Sequence, residues 1–287
     1  MDTLDVRGWL EHLTTTDLDL LARVAPAAGV GPAELRCDDA AIGRVLAHPE
    51  TYDAVLAPGD EALHAVSPFL TFAVVVHRGW AELHTASHVD EWVGPRRRLP
   101  VLGTGELRDF LGAVSRRLFL AELLASYTRV ASGSTWVRTT RGWRRRRFSE
   151  LDPLRLASLL EVVPEPERPG VYRRLGDLSL FLTGVFPDHT SLEGLGAAAG
   201  ARLGQLTGVR GPDGGAGTGD LDAVSLLEWL GARWYRVAVR AAPQPPTAAL
   251  TVVADVADRF TVARRVLNYL TDRYLFARRA GWFGQPG

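Results

Sequence analysis

Six arginines occupy the ten positions from Arg138 to Arg147 in the stretch TWVRTTRGWRRRRFSELDP, residues 135–153, with Trp136, Trp143 and Phe148 set among them. Guanidinium groups interleaved with rings suit a phosphate backbone with stacked bases, because counterion release drives affinity and every base offers a π face. The β-type runs STWVRT and WRRRRFS flank Thr140-Arg141-Gly142 and predict a short hairpin with a three-residue, glycine-containing turn. Alternation along a strand sends Arg144 and Arg146 to one face and Arg145 and Arg147 to the other, so neither face can lie against a core. The ribbon is expected to project, with Arg138, Arg141, Trp143, Arg144, Arg145, Arg146 and Arg147 as its partner-binding residues. The plainer alternative is a ribbon anchored by Trp136 and Phe148 whose arginines pair with the chain's own acidic N-terminal segment.

A second set of chemically capable residues is His77, His84, His88 and Glu91, at spacings i, i+7, i+11 and i+14. At about 100° per residue these fall within about 60° of one helical face. On an unbroken helix they could hold zinc, iron or manganese. Thr85, Ser87 and Val89 are poor helix formers and Gly94-Pro95 closes the segment. Neither Glu-x-x-His nor His-Glu-x-x-His is formed by these four residues, so no cofactor is expected and a transition metal ion is the alternative. Third is Asp177 in YRRLGDLSLFLTGVFPDH, a carboxylate on an apolar helix face that must find a partner or raise its pKa. Arg173, Arg174 and Arg236 are its candidate ion-pair partners, and a structural ion pair or a hydrogen-bonded buried acid is the leading reading, with an active-site acid as the alternative.

Other chemistries are excluded by what is missing. Cys37 is the lone cysteine and sits beside Asp38 and Asp39, so an internal disulfide and a thiolate zinc site are ruled out and a lowered thiol pKa is not expected. All 33 basic residues are arginine, which removes Schiff-base lysine and the lysine of a phosphate loop. There is no Gly-x-Ser-x-Gly elbow and no Gly-x-Gly-x-x-Gly after a strand.

The elements that must carry these residues read as helices almost throughout. Thr or Asp caps open TTTDLDLLARVA, Pro32 suits a first turn, and Pro49 breaks what precedes it. SPFLTFAVVVHRGWAELHTA starts with Ser67 as cap and Pro68, and is apolar around most of its circumference, which predicts a central buried helix. Residues 94–105 read as a loop, and ELRDFLGAVSRRLFLAELLASYTRV as one amphipathic segment. After Asp152-Pro153 further helices follow, with Gly176, Gly184 and Gly231 suited to close helix approach and GPDGGAGTGD to a surface loop. The expected class is all-α, a globular bundle of roughly ten helices with one projecting Arg-rich hairpin as its only β-structure. Its organisation is an N-terminal lobe over 1–133, the hairpin over 134–149 and a C-terminal lobe over 150–287, sharing one core.

Net charge is zero, but residues 1–93 hold 5 Arg and 15 acids, residues 94–150 hold 13 and 4, and residues 151–287 hold 15 and 14. Such segregation is resolved by docking within the molecule or by attracting an external polyanion or acidic protein. The acidic start and apolar runs of about ten residues fall short of a membrane span, so a cytoplasmic protein is expected. The segments VSPFLTFAVVVHR, LAELLASYTRVASGSTWVRTTRGWRRRRFSELDPLRLA and YRRLGDLSLFLTGVFPDH resemble those of an uncharacterised family of actinobacterial helical proteins; that likeness implies a bacterial cytoplasmic protein and no particular activity. The sequence thus points to a non-enzymatic interaction or regulatory protein that docks nucleic acid or an acidic protein through the basic hairpin. A metal-dependent enzyme using the histidine set and a structural subunit of a homo-oligomer are the alternatives.

Overall fold

The computed structural model describes residues 8–56, 66–129, 132–139, 142–192, 197–209, 221–243 and 245–275, and for 132–139, 142–148, 192 and 197 it describes the backbone alone. The protein is mostly helical. It divides into two compact units, the first made of Met1–Val89, Pro100–Thr128 and Tyr269–Gly287, the second of Asp90–Leu99 and Arg129–Asn268.

The first unit holds α1 (Thr15–Val24), α2 (Pro32–Leu35), α3 (Asp39–Ala47), α4 (Pro49–Leu56), α5 (Pro68–Leu83), α6 (Gly105–Gly112) and α7 (Val114–Ser126). Helix α1 begins in a capping box: Thr14 Oγ1 accepts from Asp17 N at 3.2 Å, and Asp17 Oδ2 accepts from Thr14 N at 2.8 Å. The other Asp17 oxygen accepts from Ser67 N at 2.8 Å, and Ser67 Oγ in turn caps α5 by accepting from Leu70 N. As its composition predicts, α5 is buried nearly all round, from Phe69 through His77 and again at Gly79 and Leu83, and α3, α4, α6 and α7 pack on it. The segment read as a single amphipathic helix is broken at Ala113, whose ψ of 127° separates α6 from α7. Arg117 occupies the break: its guanidinium donates to the carbonyls of Leu111 and Gly112, which α6 leaves without helical partners, and lies 4.1 Å from the Trp80 ring centroid. A cation on a helix C-terminus is favoured by the helix dipole, so the break is a positioned feature of the fold.

The second unit holds α8 (Pro153–Ala157), α9 (Arg168–Val185), α10 (Pro187–Leu192), α11 (Ala197–Thr207), α12 (Ala223–Ala241) and α13 (Ala248–Asp258), with most of α14 (Phe260–Leu270). Helices α9 and α12 form its main pair. The close approach expected at the helix glycines is present: a Cβ on Gly231 would fall 2.5 Å from Phe260 Cζ and 2.7 Å from Ser179 Cβ, and one on Gly176 2.4 Å from the Tyr235 ring. Alanine in a helix interior gains about 1 kcal/mol over glycine, but Ser179 Cβ belongs to the opposite helix and cannot swing away. Gly231→Ala should therefore be destabilising by about 1–3 kcal/mol, as overpacked cores are; a urea midpoint at or above that of the parent protein would mean that α9 and α12 can separate without loss. The long C-terminal run read as continuous is divided at Arg259, with φ −118° and ψ 28°, into α13 and α14.

The β-structure differs from expectation. A ribbon forms where a loop was read, from β1 (His88–Gly94) and β2 (Arg97–Leu102), so the arginine hairpin is not the only one. Its signal is limited to the strand-forming Val89, Trp92 and Val93 before Gly94-Pro95, and the prolines and the charge run of PRRRLP mask it. The arginine hairpin itself forms as β3 (Ser132–Thr139) antiparallel to β4 (Gly142–Ser149), in unbroken register from Ser132 opposite Ser149 to Thr139 opposite Gly142. Pairing of Gly142 leaves two connecting residues instead of three, Thr140 and Arg141, which lie outside the described residues.

Candidate functional site

Charge separates by structural unit as well as by sequence segment. The second unit contains 22 arginines against 16 acids, a surplus of six, and the first 11 against 17, the opposite surplus. The whole β3–β4 ribbon and the turn of β1–β2, with Arg96, Arg97 and Arg98, belong to the second unit. In β3–β4 the register sets Arg138 opposite Trp143, Arg144 opposite Val137, Arg145 opposite Trp136, Arg146 opposite Thr135 and Arg147 opposite Ser134. Arginines thus occupy both sets of alternate positions, and two of the cross-strand pairs join arginine to tryptophan. Arg141, and the side chains of Arg138, Trp143 and Arg144–Arg147, lie outside the described residues. Acids of the N-terminal segment that are seen in ion pairs use arginines of other elements: Glu34 with Arg44, Glu82 with Arg78 and Arg273, and Glu91 with Arg265.

The turn of β1–β2 is built around one carboxylate that sequence reading passed over. Asp188, on the first turn of α10, accepts from Trp92 Nε1 at 2.8 Å and Arg96 N at 2.7 Å, and lies 3.3 Å from a terminal nitrogen of Arg98. Burial acts to raise its pKa, but these donors and the Arg98 charge outweigh burial and hold it below the usual carboxylate range. Arg96 adopts φ 56°, a left-handed conformation that normally falls to glycine, asparagine or aspartate. Arg96 and Arg97 are exposed, and neither guanidinium has a hydrogen bond or ion pair among the described residues.

The histidine set is not assembled as a helical face. Helix α5 stops at Leu83, because His84 is its C-cap and Thr85 to Ser87 leave the helical path, and His88 and Glu91 stand on strand β1. His77 is buried with Nδ1 2.9 Å from the Ala73 carbonyl, His84 Nδ1 lies on the Trp80 carbonyl, and Glu91 binds Arg265. Among the described residues no three or more His, Cys, Asp or Glu form a group that could hold a metal ion. Asp177 is a hydrogen-bonded buried acid: Tyr235 on α12 donates its hydroxyl to Asp177 Oδ1 at 2.8 Å. Arg174 pairs with Glu150 and Arg236 with Asp258. Nothing in a linear reading links positions 58 residues apart on two helices.

Two other titratable centres are structural in character. Arg117 is 6% exposed, and burial lowers its pKa to about 10, so it stays charged at neutral pH on the α6 carbonyls. Tyr274, in the π-helical turn Thr271–Leu275, has its phenol pushed far up by burial, then by Tyr269 and Glu82, and is no proton donor near neutrality. Among the described residues no helix is long and apolar enough to cross a membrane. Comparison with protein-family models, curated proteins and solved structures finds no match to this chain, so the fold and the site stand on their own geometry.

Proposed function

We propose that this is a non-enzymatic interaction protein that docks an acidic macromolecule through the β3–β4 hairpin, in the cytoplasmic setting expected from its sequence. The observation that carries the reading is the hairpin's register: eight consecutive pairs with no bulge hold Arg144 to Arg147 on one strand, opposite Trp136 and its neighbours on the other. A ribbon of that length spans about 26 Å at ~3.3 Å per residue, enough to meet several phosphates along a nucleic-acid backbone. Its charge also lies in a unit that carries a surplus of six arginines over acids. Positive charge concentrated in this way raises the local concentration of a polyanion and its association rate.

Fluorescence anisotropy of labelled duplex and single-stranded DNA and RNA tests it, over roughly 50 to 200 mM salt. Arg144, Arg145, Arg146 and Arg147 are replaced together by serine. The parent protein should bind with a steep salt dependence. The variant should bind at least a hundredfold more weakly at the low-salt end, with a duplex slope shallower by up to about 3.6, at about 0.9 per phosphate contact, and with an unchanged melting temperature. Equal binding by both proteins would overturn the reading. Capture of polyglutamate but of no nucleic acid, with the same arginine dependence, would move the partner to the acidic-protein class.

A further inference from the structure

We infer that the β1–β2 turn is a second phosphate-binding element of the same unit, presenting Arg96 and Arg97 to the backbone of a duplex nucleic acid. The inference rests on the proposal that this unit binds a polyanion, and adds a contact site that the arginine run does not contain. Three consecutive arginines are used in two ways. Arg98 is committed to Asp188, whereas Arg96 and Arg97 stand exposed with no partner for either guanidinium among the described residues.

The backbone makes the distinction sharper. A non-glycine residue at φ 56° is strained, and glycine would adopt that turn at no steric cost. The strain is held in place from outside the ribbon, by the 2.7 Å bond from Arg96 N to Asp188 and by Trp92 and Arg98 on the same carboxylate. Strain that neighbouring groups over-determine points to a use for the strained side chain, since the fold itself would be served better by glycine. The use available to an unpaired guanidinium is anion contact. Of the acids on and around the turn, Asp188 holds Trp92, Arg96 N and Arg98, Glu91 is taken by Arg265, and the exposed Asp90 of β1 makes no ion pair with Arg96 or Arg97 among the described residues, so the two arginines retain their charge for a ligand. Val93 and Leu99, 45% and 49% exposed on the flanking strands, add apolar surface of the kind that sugar and base faces cover.

The test compares Arg96→Gly, Arg97→Ser and the double variant with the parent and with the Arg144–Arg147 serine variant, by anisotropy on duplex DNA across salt and by thermal melting. Arg96→Gly relieves the left-handed strain and should raise the melting temperature by roughly 2–4 °C, the shift expected when strain of this size is removed from a chain of this length. The same variant should weaken binding. The double variant should lower the salt slope by about 2, one unit per lost phosphate contact. A fall in affinity accompanied by a rise in stability is a signature that a merely structural arginine cannot give. Arg97→Ser changes an exposed side chain in ordinary backbone and keeps the test valid if the glycine variant folds poorly. If the double variant keeps the parent's slope while the Arg144–Arg147 variant loses its own, this inference is overturned and the hairpin reading stands. If the parent protein binds no nucleic acid at low salt, both are overturned.

Discussion

Between pH 6.5 and pH 4.5 the protein should lose about 2.5 kcal/mol of stability through one side chain, His77, at about 1.4 kcal/mol per pH unit. His77 is 1% exposed on the buried face of α5, and its ring lies 4.9 Å from that of Trp9. A carbonyl oxygen can only accept, so the contact to Ala73 fixes the hydrogen on Nδ1 and leaves Nε2 as the site of any second proton. Among the described residues the buried Nε2 has no hydrogen-bond partner. A proton there would be a buried charge with nothing to accept from it, in the field of the Arg117 cation. Burial first, then Arg117, lowers the pKa from 6.5 to about 3.

The sign follows from which state takes the proton. In the unfolded chain His77 titrates at its ordinary value, so below pH 6.5 the unfolded state gains a proton that the folded state refuses. Stability is complete above that value and falls with pH until the folded protein itself protonates near pH 3. His12 works in the opposite sense: its hydrogen bond to Glu122 outweighs burial and raises its pKa, so its contribution is present at low pH and fades as pH rises. The lowered carboxylates Glu82 and Asp188 lose their contributions only further down, as pH falls through the carboxylate range. The window from 6.5 to 4.5 therefore isolates the histidines, and a His77→Phe variant separates the two. Urea midpoints measured across that window should show a steep acid limb in the parent that is flattened in the variant, whatever the absolute cost of fitting a six-membered ring. Parallel limbs would mean that the folded state can hydrate or protonate His77. With total stabilities of about 5–15 kcal/mol typical of such proteins, the effect is a large share of the whole.

How much of this was legible beforehand depended on the range of the signal. The central helix α5 was readable because Ser67, Pro68 and a continuous apolar run are local statements about capping and burial. The arginine hairpin was readable because a glycine between two β-type runs is also local, although its two-residue connection was not. The break between α6 and α7 was invisible: the apolar spacing runs through Ala113 undisturbed, and what stabilises the break is a guanidinium folding back on carbonyls one turn earlier. The β1–β2 ribbon failed to show for a related reason. Its turn needs Asp188, which follows Arg96 by 92 residues, to hold a conformation that arginine disfavours. The histidine set marks the opposite limit: 100° periodicity holds only along α5, and the chain leaves the helix over residues 84–87 before it reaches His88 and Glu91. The Asp177 partner shows the same limit, since a buried acid announces that it needs a donor but not that Tyr235 supplies it.

Asp17 is where long-range dependence should be most costly to remove. Its side chain is fully buried, with one oxygen on Thr14 N and the other on Ser67 N, each at 2.8 Å. One carboxylate therefore ties the start of α1 to the residue that caps α5, 50 positions away. Hydrogen bonds to a charged acceptor contribute about 1.5–3 kcal/mol each, and donors left buried without an acceptor cost their desolvation. Asp17→Ala should destabilise by about 3–5 kcal/mol on that basis. Asp17→Asn should cost nearly as much, because the amide has a single acceptor oxygen and turns an N–H group toward the second donor. Thr14→Ala removes only the other half of the capping box and should cost about 1 kcal/mol. Denaturant melts at pH 7.5, above the histidine window, give the three values. Amide exchange at Ser67 adds a local reading, since its N–H loses its acceptor in Asp17→Ala and keeps it in Thr14→Ala. Equal costs for Thr14→Ala and Asp17→Ala would reduce Asp17 to an ordinary helix cap. The expected ordering, with accelerated exchange at Ser67 in Asp17→Ala and not in Thr14→Ala, would show that the central helix is held at its first turn by a residue of α1.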